Sequence, residues 1–301
     1  MKKVIITGAT SSIGIALIED CIKNNVEVLA LCRNTSNRLK NLPKSNLITV
    51  KNCDLKELEN FELKGNEKFD VFYHLGWVYT GKEERNNVEL QYKNIDYSIN
   101  AINLANKLGC KKFIGAGSQA EYGEHLDKKT SSDSYANPTN AYGICKYMTG
   151  KLLSIQATKF NMDYAWVRIF SVYGKYDIED TMISTTIKKL KAKEYCKFTP
   201  GEHIWDYLYS SDAGNAFYLL GKNLEGNKVY CLGSGKGKPL KEYIQIIKEE
   251  IDPKAKIGLG DIEYINGIPN PMVADISNLT KDTGFTPQID FREGIRKILQ
   301  K

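Results

Sequence analysis

Short β-branched runs alternate with helix-length amphipathic segments through the first half of the chain, and few folds satisfy that alternation. Residues 3–7, 27–32, 46–52, 70–75, 112–116 and 164–170 read as strands, while 13–23, 92–108 and 142–160 carry apolar residues at helical spacing. Strands joined by helix-length connections pair in parallel, and a parallel sheet has to be covered on both faces. The pattern therefore predicts an α/β fold with a doubly wound parallel sheet. Past Gly174 the pattern is less regular, with an amphipathic segment at 181–193, a short strand near Tyr207, a helix at 212–220 and the turn Gly233-Ser234-Gly235-Lys236-Gly237. A smaller C-terminal α+β region is expected there. Residues 1–172, with a returning segment near 205–230, form the main domain in this reading, and 173–301 form most of the second.

The first predicted strand runs into Thr7-Gly8-Ala9-Thr10-Ser11-Ser12-Ile13-Gly14 and then directly into the helical Ile15-Ala16-Leu17-Ile18. A tight turn at that place brings backbone N–H groups and the positive end of a helix dipole to a phosphate. Gly8 and Gly14 are expected to supply the two close approaches, with Thr10, Ser11, Ser12 and Ile13 between them. Ser11 stands where the dinucleotide fingerprint has its middle glycine. A Rossmann dinucleotide-binding domain is thus expected. In such domains an acidic residue about twenty positions on holds the ribose hydroxyls of NAD, whereas an arginine accommodates the 2′-phosphate of NADP. Here the second strand ends Leu31-Cys32-Arg33-Asn34, with Arg38 close behind and no Asp or Glu. The forked guanidinium of Arg33 suits a phosphate, so NADP(H) is favoured and NAD(H) stays open. The plainer alternative is a surface arginine at a strand end.

Composition narrows the partners. The 301 residues are 42% hydrophobic, enough for a substantial core. The net charge of +6 is a small imbalance between 42 basic and 36 acidic residues that are interspersed. The densest basic cluster, Lys188-Lys189-Leu190-Lys191-Ala192-Lys193, reads as a solvated helix face rather than a nucleic-acid surface. No run approaches the ~18 apolar residues of a membrane span, and no signal-peptide core follows the N-terminal lysines. A cytoplasmic protein with no membrane or nucleic-acid partner is expected. The seven cysteines are scattered, odd in number and never spaced Cys-x-x-Cys, so neither a disulfide framework nor a metal site is expected. His74 reads as a packed strand residue, while His125 and His203 lie near candidate binding loops without metal-like spacing.

Tyr142-Gly143-Ile144-Cys145-Lys146 opens a predicted helix, which places a phenol and an ammonium on one face. A nearby cation favours the phenolate and fits the tyrosine for acid–base work near neutral pH. Tyr147 and Lys151 repeat the spacing, but five residues of helix turn Tyr147 well away from the face of Tyr142. Context selects Tyr142: the fifth strand leads into Ser118, expected at the carboxyl edge of the sheet where ligands bind in open α/β folds.

With these residues in place the chain resembles, over essentially its whole length, the extended short-chain dehydrogenase/reductases, the family of nucleotide-sugar epimerases, dehydratases and reductases. The resemblance extends to Cys53-Asp54-Leu55 near the expected adenine position, Asp70-Val71-Phe72-Tyr73-His74-Leu75-Gly76 on the fourth strand, and Asn94 at the opening of a helix. It includes Arg168-Ile169-Phe170-Ser171-Val172-Tyr173-Gly174 and Asp206-Tyr207-Leu208-Tyr209-Ser210-Ser211-Asp212 as well. It implies that Tyr142 is the general acid/base, that Lys146 tunes it and holds the nicotinamide ribose, and that Ser118 positions the substrate oxygen. Asp54, Leu55, Leu75 and Gly76 would line the cofactor site, and Gln119, Tyr173, His203 and Trp205 would face the substrate in the C-terminal region. A homodimer formed through the helices at 92–108 and 142–160 is implied by analogy.

Departures from the family pattern narrow the chemistry. Members that eliminate water carry an adjacent Asp-Glu pair after the Ser/Thr, and here those positions are Gln119 and Ala120. An arginine commonly precedes the Asp-Tyr step and serves the diphosphate, but here Trp205 stands there, to stack on a base or sugar or to pack in the core. The leading expectation is an NADPH-dependent reductase of a nucleotide-linked 4-keto-6-deoxyhexose. A nucleotide-sugar 4-epimerase is the alternative, and a non-catalytic dinucleotide sensor or scaffold is the reading from a different class.

Overall fold

Val4, Ile5 and Ile6 are all sealed from solvent, so the first strand is buried on both faces and must lie inside a covered sheet. The protein, seen in a computed structural model that describes residues 1–63, 65, 67–124, 129–177, 180–265 and 268–300, is built accordingly. Along the chain run β1 (Lys3–Thr7), α1 (Ser12–Lys23), β2 (Glu27–Cys32), β3 (Ile48–Asn52), β4 (Val71–His74), α2 (Val88–Lys107), β5 (Lys112–Ser118), α3 (Ala141–Lys159) and β6 (Asp163–Ile169). There follow β7 (Ser171–Tyr173), α4 (Met182–Lys191), β8 (Cys196–Phe198), β9 (Ile204–Trp205), β10 (Tyr207–Tyr209), α5 (Ser210–Asn223), β11 (Asn227–Leu232), β12 (Lys238–Pro239), α6 (Leu240–Ile251), β13 (Ile257–Leu259), α7 (Ser277–Thr283) and α8 (Phe291–Leu299).

Seven of these strands form one parallel sheet in the order β3-β2-β1-β4-β5-β6-β11, the predicted doubly wound arrangement. Residues of α1 and α5 fill one face with Ile6, Val28 and Ala165, and residues of α2 and α3 fill the other with Ile5, Phe72 and Phe113. The order reverses between β1 and β4, which opens a crevice beyond their carboxyl ends. Two predicted boundaries move for local reasons. The helix expected from 92 starts at Val88 because the Asn87 side chain accepts the Leu90 N–H at 3.0 Å, so Asn94 lies inside α2 rather than at its opening. Strand β5 continues past 116 to Ser118 through Gly115 and Gly117, where a Cβ would collide with the Trp166 ring at 2.6 and 2.5 Å. Those glycines make room for an indole and do not end the strand.

The C-terminal part packs β8, β9, β12 and β13 with α4, α6 and α8 around Ile183, Ile187, Tyr243, Ile247, Phe291 and Ile295. At its seam with the sheet, the carboxylate of Asp206 accepts the N–H groups of Ser234, Gly235 and Ala274 at 2.7, 3.0 and 3.1 Å and the Ser234 hydroxyl at 2.5 Å. Lys188, Lys189, Lys191 and Lys193 are exposed, as expected of a solvated face. Among the described residues no helix is long and apolar enough to cross a membrane.

Candidate active site

The turn after β1 is shaped by its two glycines. Gly8 adopts φ +68°, in the left-handed region, and a Cβ there would lie 2.6 Å from the Leu75 carbonyl carbon; a Cβ on Gly14 would lie 2.5 Å from the Gly8 oxygen. In this structure both close approaches are to the protein's own backbone, and Gly8 also lines the cleft below. Ser11 needs no such freedom: its φ is −73° and its hydroxyl accepts the Gly14 N–H at 2.9 Å, capping α1. The first turn of α1 leaves the Ser12 and Ile13 N–H groups without acceptors among the described residues, and the Ser12 hydroxyl is buried without a partner. These donors and the helix dipole fit a pyrophosphate. Gly8, Thr10, Ser11, Arg33, Asp54, Leu55, Leu75 and Gly76 converge on a single cleft of about 760 Å³ at the β1/β4 switch point, together with Ser36 and Arg38. Arg33 is exposed at the cleft's edge, whereas the Arg38 guanidinium donates to the Tyr176 carbonyl. The residues present fit a dinucleotide.

At the other end of the crevice, Ser118 closes β5 and Tyr142 opens α3, where Asn140 caps the helix by accepting the Gly143 N–H at 2.8 Å. The Ser118 hydroxyl accepts the Ala120 N–H at 3.1 Å and faces the Tyr142 phenol. Burial raises the phenol's pKa, while the nearby Ser118 hydroxyl and the Arg85 charge act the other way. Lys146 is 3% exposed, donates to the Ala116 carbonyl at 2.6 Å and lies 3.8 Å from the centroid of the Trp77 ring. Burial pushes the ammonium's pKa down to about 7, with Glu121 acting the other way. The expectation that Lys146 acidifies Tyr142 is thus corrected for this arrangement: the ammonium is spent on a carbonyl and an indole face, and desolvation dominates both groups.

A family model described as "NAD dependent epimerase/dehydratase family" matches residues 4–233. The chain belongs to this family. It is therefore an enzyme of the extended short-chain dehydrogenase/reductase kind. It is similar to a CDP-abequose synthase of Salmonella typhimurium, 26% identical over 310 residues that cover 99% of this chain and 97% of the relative. A dTDP-4-dehydro-6-deoxyglucose reductase of Escherichia coli is 25% identical over 311 residues, covering 99% and 96%. The fold matches that of a UDP-N-acetylglucosamine 4-epimerase from Methanobrevibacter ruminantium with a TM-score of 0.86 at 23% identity, over 99% of this chain and 98% of that one.

In this family member a second cleft of about 1240 Å³ lies on the C-terminal side, lined by Gly123, Thr199, Trp205, Tyr264, Pro269 and Met272 among others. Trp205 borders it while its indole N–H donates to the Ser171 hydroxyl at 2.7 Å, so it is both lining and packing. His203 stands edge-on to Trp205, with Nδ1 3.2 Å from the Tyr264 hydroxyl. Gln119 follows Ser118, and its side-chain oxygen is buried without a partner among the described residues. Tyr173 is a correction: it is 1% exposed, donates to the Phe291 carbonyl at 3.2 Å and packs among Tyr207, Tyr209 and Phe291, away from either cleft. His74 is buried between the Thr7 and Ser98 hydroxyls at 2.8 and 3.0 Å, and burial brings its pKa to about 3. His125 lies outside the described residues.

Sequence reasoning passed over four residues next to Ser118, Tyr142 and Lys146. Trp77 carries the Lys146 ammonium, the Arg85 guanidinium lies over the Tyr142 ring, and Glu121 and Arg168 form a buried ion pair. Only the ion pair left a trace in the sequence, as two charged residues inside otherwise apolar motifs.

Proposed function

We propose that the chain is an NADP(H)-dependent reductase of a nucleotide-linked 4-keto-6-deoxyhexose. The observation that carries this reading is the Ser118–Tyr142 pair at one end of a crevice whose other end presents Arg33 and Ser36, while Gln119 and Ala120 supply no acid and base for elimination. Residues 1–172, with the returning segment near 205–230, serve the dinucleotide, and 173–301 mostly form the substrate-binding cap. Ser12 and Ile13 face the pyrophosphate with their N–H groups, Gly14 closes the turn behind them, Arg33 takes the 2′-phosphate, and Asp54 and Leu55 flank the adenine. When bound, the reduced nicotinamide supplies hydride to the ketone carbon.

The chain's own residues manage the oxygen. Ser118 hydrogen-bonds the carbonyl, Tyr142 gives its phenolic proton to the developing alkoxide, and Lys146 turns from the Ala116 carbonyl to the nicotinamide ribose. Gln119, His203 and Trp205 border the sugar and base in the second cleft. A second copy of the chain covers the outer faces of α2 and α3, where Tyr92, Ile144 and Ile155 are 54%, 48% and 69% exposed. Reduced dinucleotide, nucleotide sugar and seven buried free thiols are compatible with the cytoplasm.

The test uses purified protein with dTDP- and CDP-linked 4-keto-6-deoxyglucose. Stoichiometric loss of NADPH absorbance that is abolished in Tyr142→Phe, with NADPH binding retained, is the expected result. Turnover of a 4-hydroxy nucleotide sugar without net use of cofactor makes the chain a 4-epimerase instead, since that reaction uses the same three residues.

A further inference from the structure

The loop that leaves β4 is built with more care than a connection to α2 requires. Gln91, fully buried, gives its whole carboxamide to the loop: it accepts the Trp77 indole N–H at 2.9 Å and donates to the carbonyls of Tyr79 and Glu84 at 2.6 and 3.1 Å. Asn94 brackets Val78, accepting its N–H at 2.9 Å and donating to its carbonyl at 3.2 Å. A short helical turn at Glu84–Asn86 follows, and the Arg85 Nε donates to the Thr80 carbonyl at 3.1 Å. This framework delivers one side chain to the site: the Arg85 guanidinium carbon lies 4.8 Å from the centroid of the Tyr142 ring. Among the described residues Arg85 has no carboxylate partner.

Two cations thus flank the phenol from different elements, and their engagements differ. Lys146, on Tyr142's own helix, is 5.9 Å from the phenol ring and is held by the Ala116 carbonyl and the Trp77 face. Arg85 comes from the loop between β4 and α2 and lies over the ring, where a guanidinium stacks well. The third charged group near the phenol is the Glu121 carboxylate after β5, neutralised by Arg168.

We propose that Arg85 is a positioning residue for Tyr142, the cation that favours its phenolate and fixes the plane of its ring, while Lys146 is left to the dinucleotide. This rests on Tyr142 as the proton donor, and it adds a residue from outside the Ser-Tyr-Lys set. Arginine is the suited residue because its planar charge stays protonated and lies flat on an aromatic ring without losing its Nε hydrogen bond.

The decisive measurement is ionisation, not turnover. In protein labelled with 13C at tyrosine Cζ, the Tyr142 resonance is the one missing from Tyr142→Phe. Removal of the charge in Arg85→Gln is expected to raise the pH at which it titrates by about one unit, and Arg85→Lys is expected to restore most of the shift. The expected kinetic counterpart in Arg85→Gln is a fall in kcat of up to about tenfold near neutrality, with cofactor affinity unchanged. A resonance that behaves alike in wild type and Arg85→Gln, including one that never titrates, overturns the role of Arg85. Full turnover in Tyr142→Phe would instead overturn the reading beneath it.

Discussion

Glu121 and Arg168 form an ion pair bound to the backbone of Ser118: Oε2 accepts Arg168 Nε at 2.8 Å, while Oε1 accepts the Ser118 backbone N–H and the Trp166 indole N–H, each at 2.8 Å. The side chains are 0% and 5% exposed. A carboxylate so placed orients the end of β5.

Removing the arginine alone strands that carboxylate. Arg168→Met is expected to lower stability by about 3–5 kcal/mol, measured by urea unfolding. The double variant Glu121→Gln/Arg168→Met is expected to recover most of the loss. Equal stabilities for the single and double variants would show that the pair is not coupled.

Lys146 predicts a pH dependence of stability. Its pKa is about 7 in the fold against 10.5 ordinarily, so between those values the unfolded chain holds a proton that the folded chain lacks. Stability from this group is full above the unfolded value and is lost as pH falls through the folded one. Buried thiols such as Cys21 and Cys110, raised from 9.0 to about 12, act in the opposite direction above pH 9. Unfolding measured from pH 7 to 8.5 is therefore expected to show stability rising with pH, and Lys146→Met to flatten the rise.

Arg33 is expected to set cofactor choice. Arg33→Ser should weaken NADPH binding roughly 10- to 100-fold, the worth of a charge-assisted hydrogen bond, and leave NADH binding nearly unchanged. Isothermal titration with both dinucleotides checks this, and equal losses for the two would assign Arg33 elsewhere.

The apolar stripe on α2 and α3 predicts self-association. Light scattering is expected to give twice the chain mass for the wild type and the single-chain mass for Ile155→Asp, because Ile155 is 69% exposed and the substitution leaves the core untouched. A wild-type monomer rejects the interface.

The alternating pattern made the sheet legible because its central strands are short and apolar on both faces and β1, β4 and β5 are each followed by a helix of regular spacing. Ser118, Tyr142 and Lys146 were legible for a related reason, since their spacing is local to one strand end and one helix turn. Tyr173 was misread because a tyrosine beside Gly174 offers no sign of which way its ring turns; tertiary packing drew it into the C-terminal core against Phe291. Arg85 and Trp77 were invisible because their relation to Tyr142 and Lys146 depends on the carboxamide bracing of a loop with no periodicity of its own. Glu121 and Arg168 are 47 positions apart and meet only when β5 and β6 pair.

Asp206 bears on how a ligand comes and goes. Its carboxylate ties together chain segments at 206, 234–235 and 274, so the C-terminal part and the sheet behave at that seam as one mechanical body. Prising them apart would strip four hydrogen bonds from a single buried anion. If the second cleft takes the substrate, as proposed, entry and release there are expected to depend on its open side rather than on a hinge at this seam.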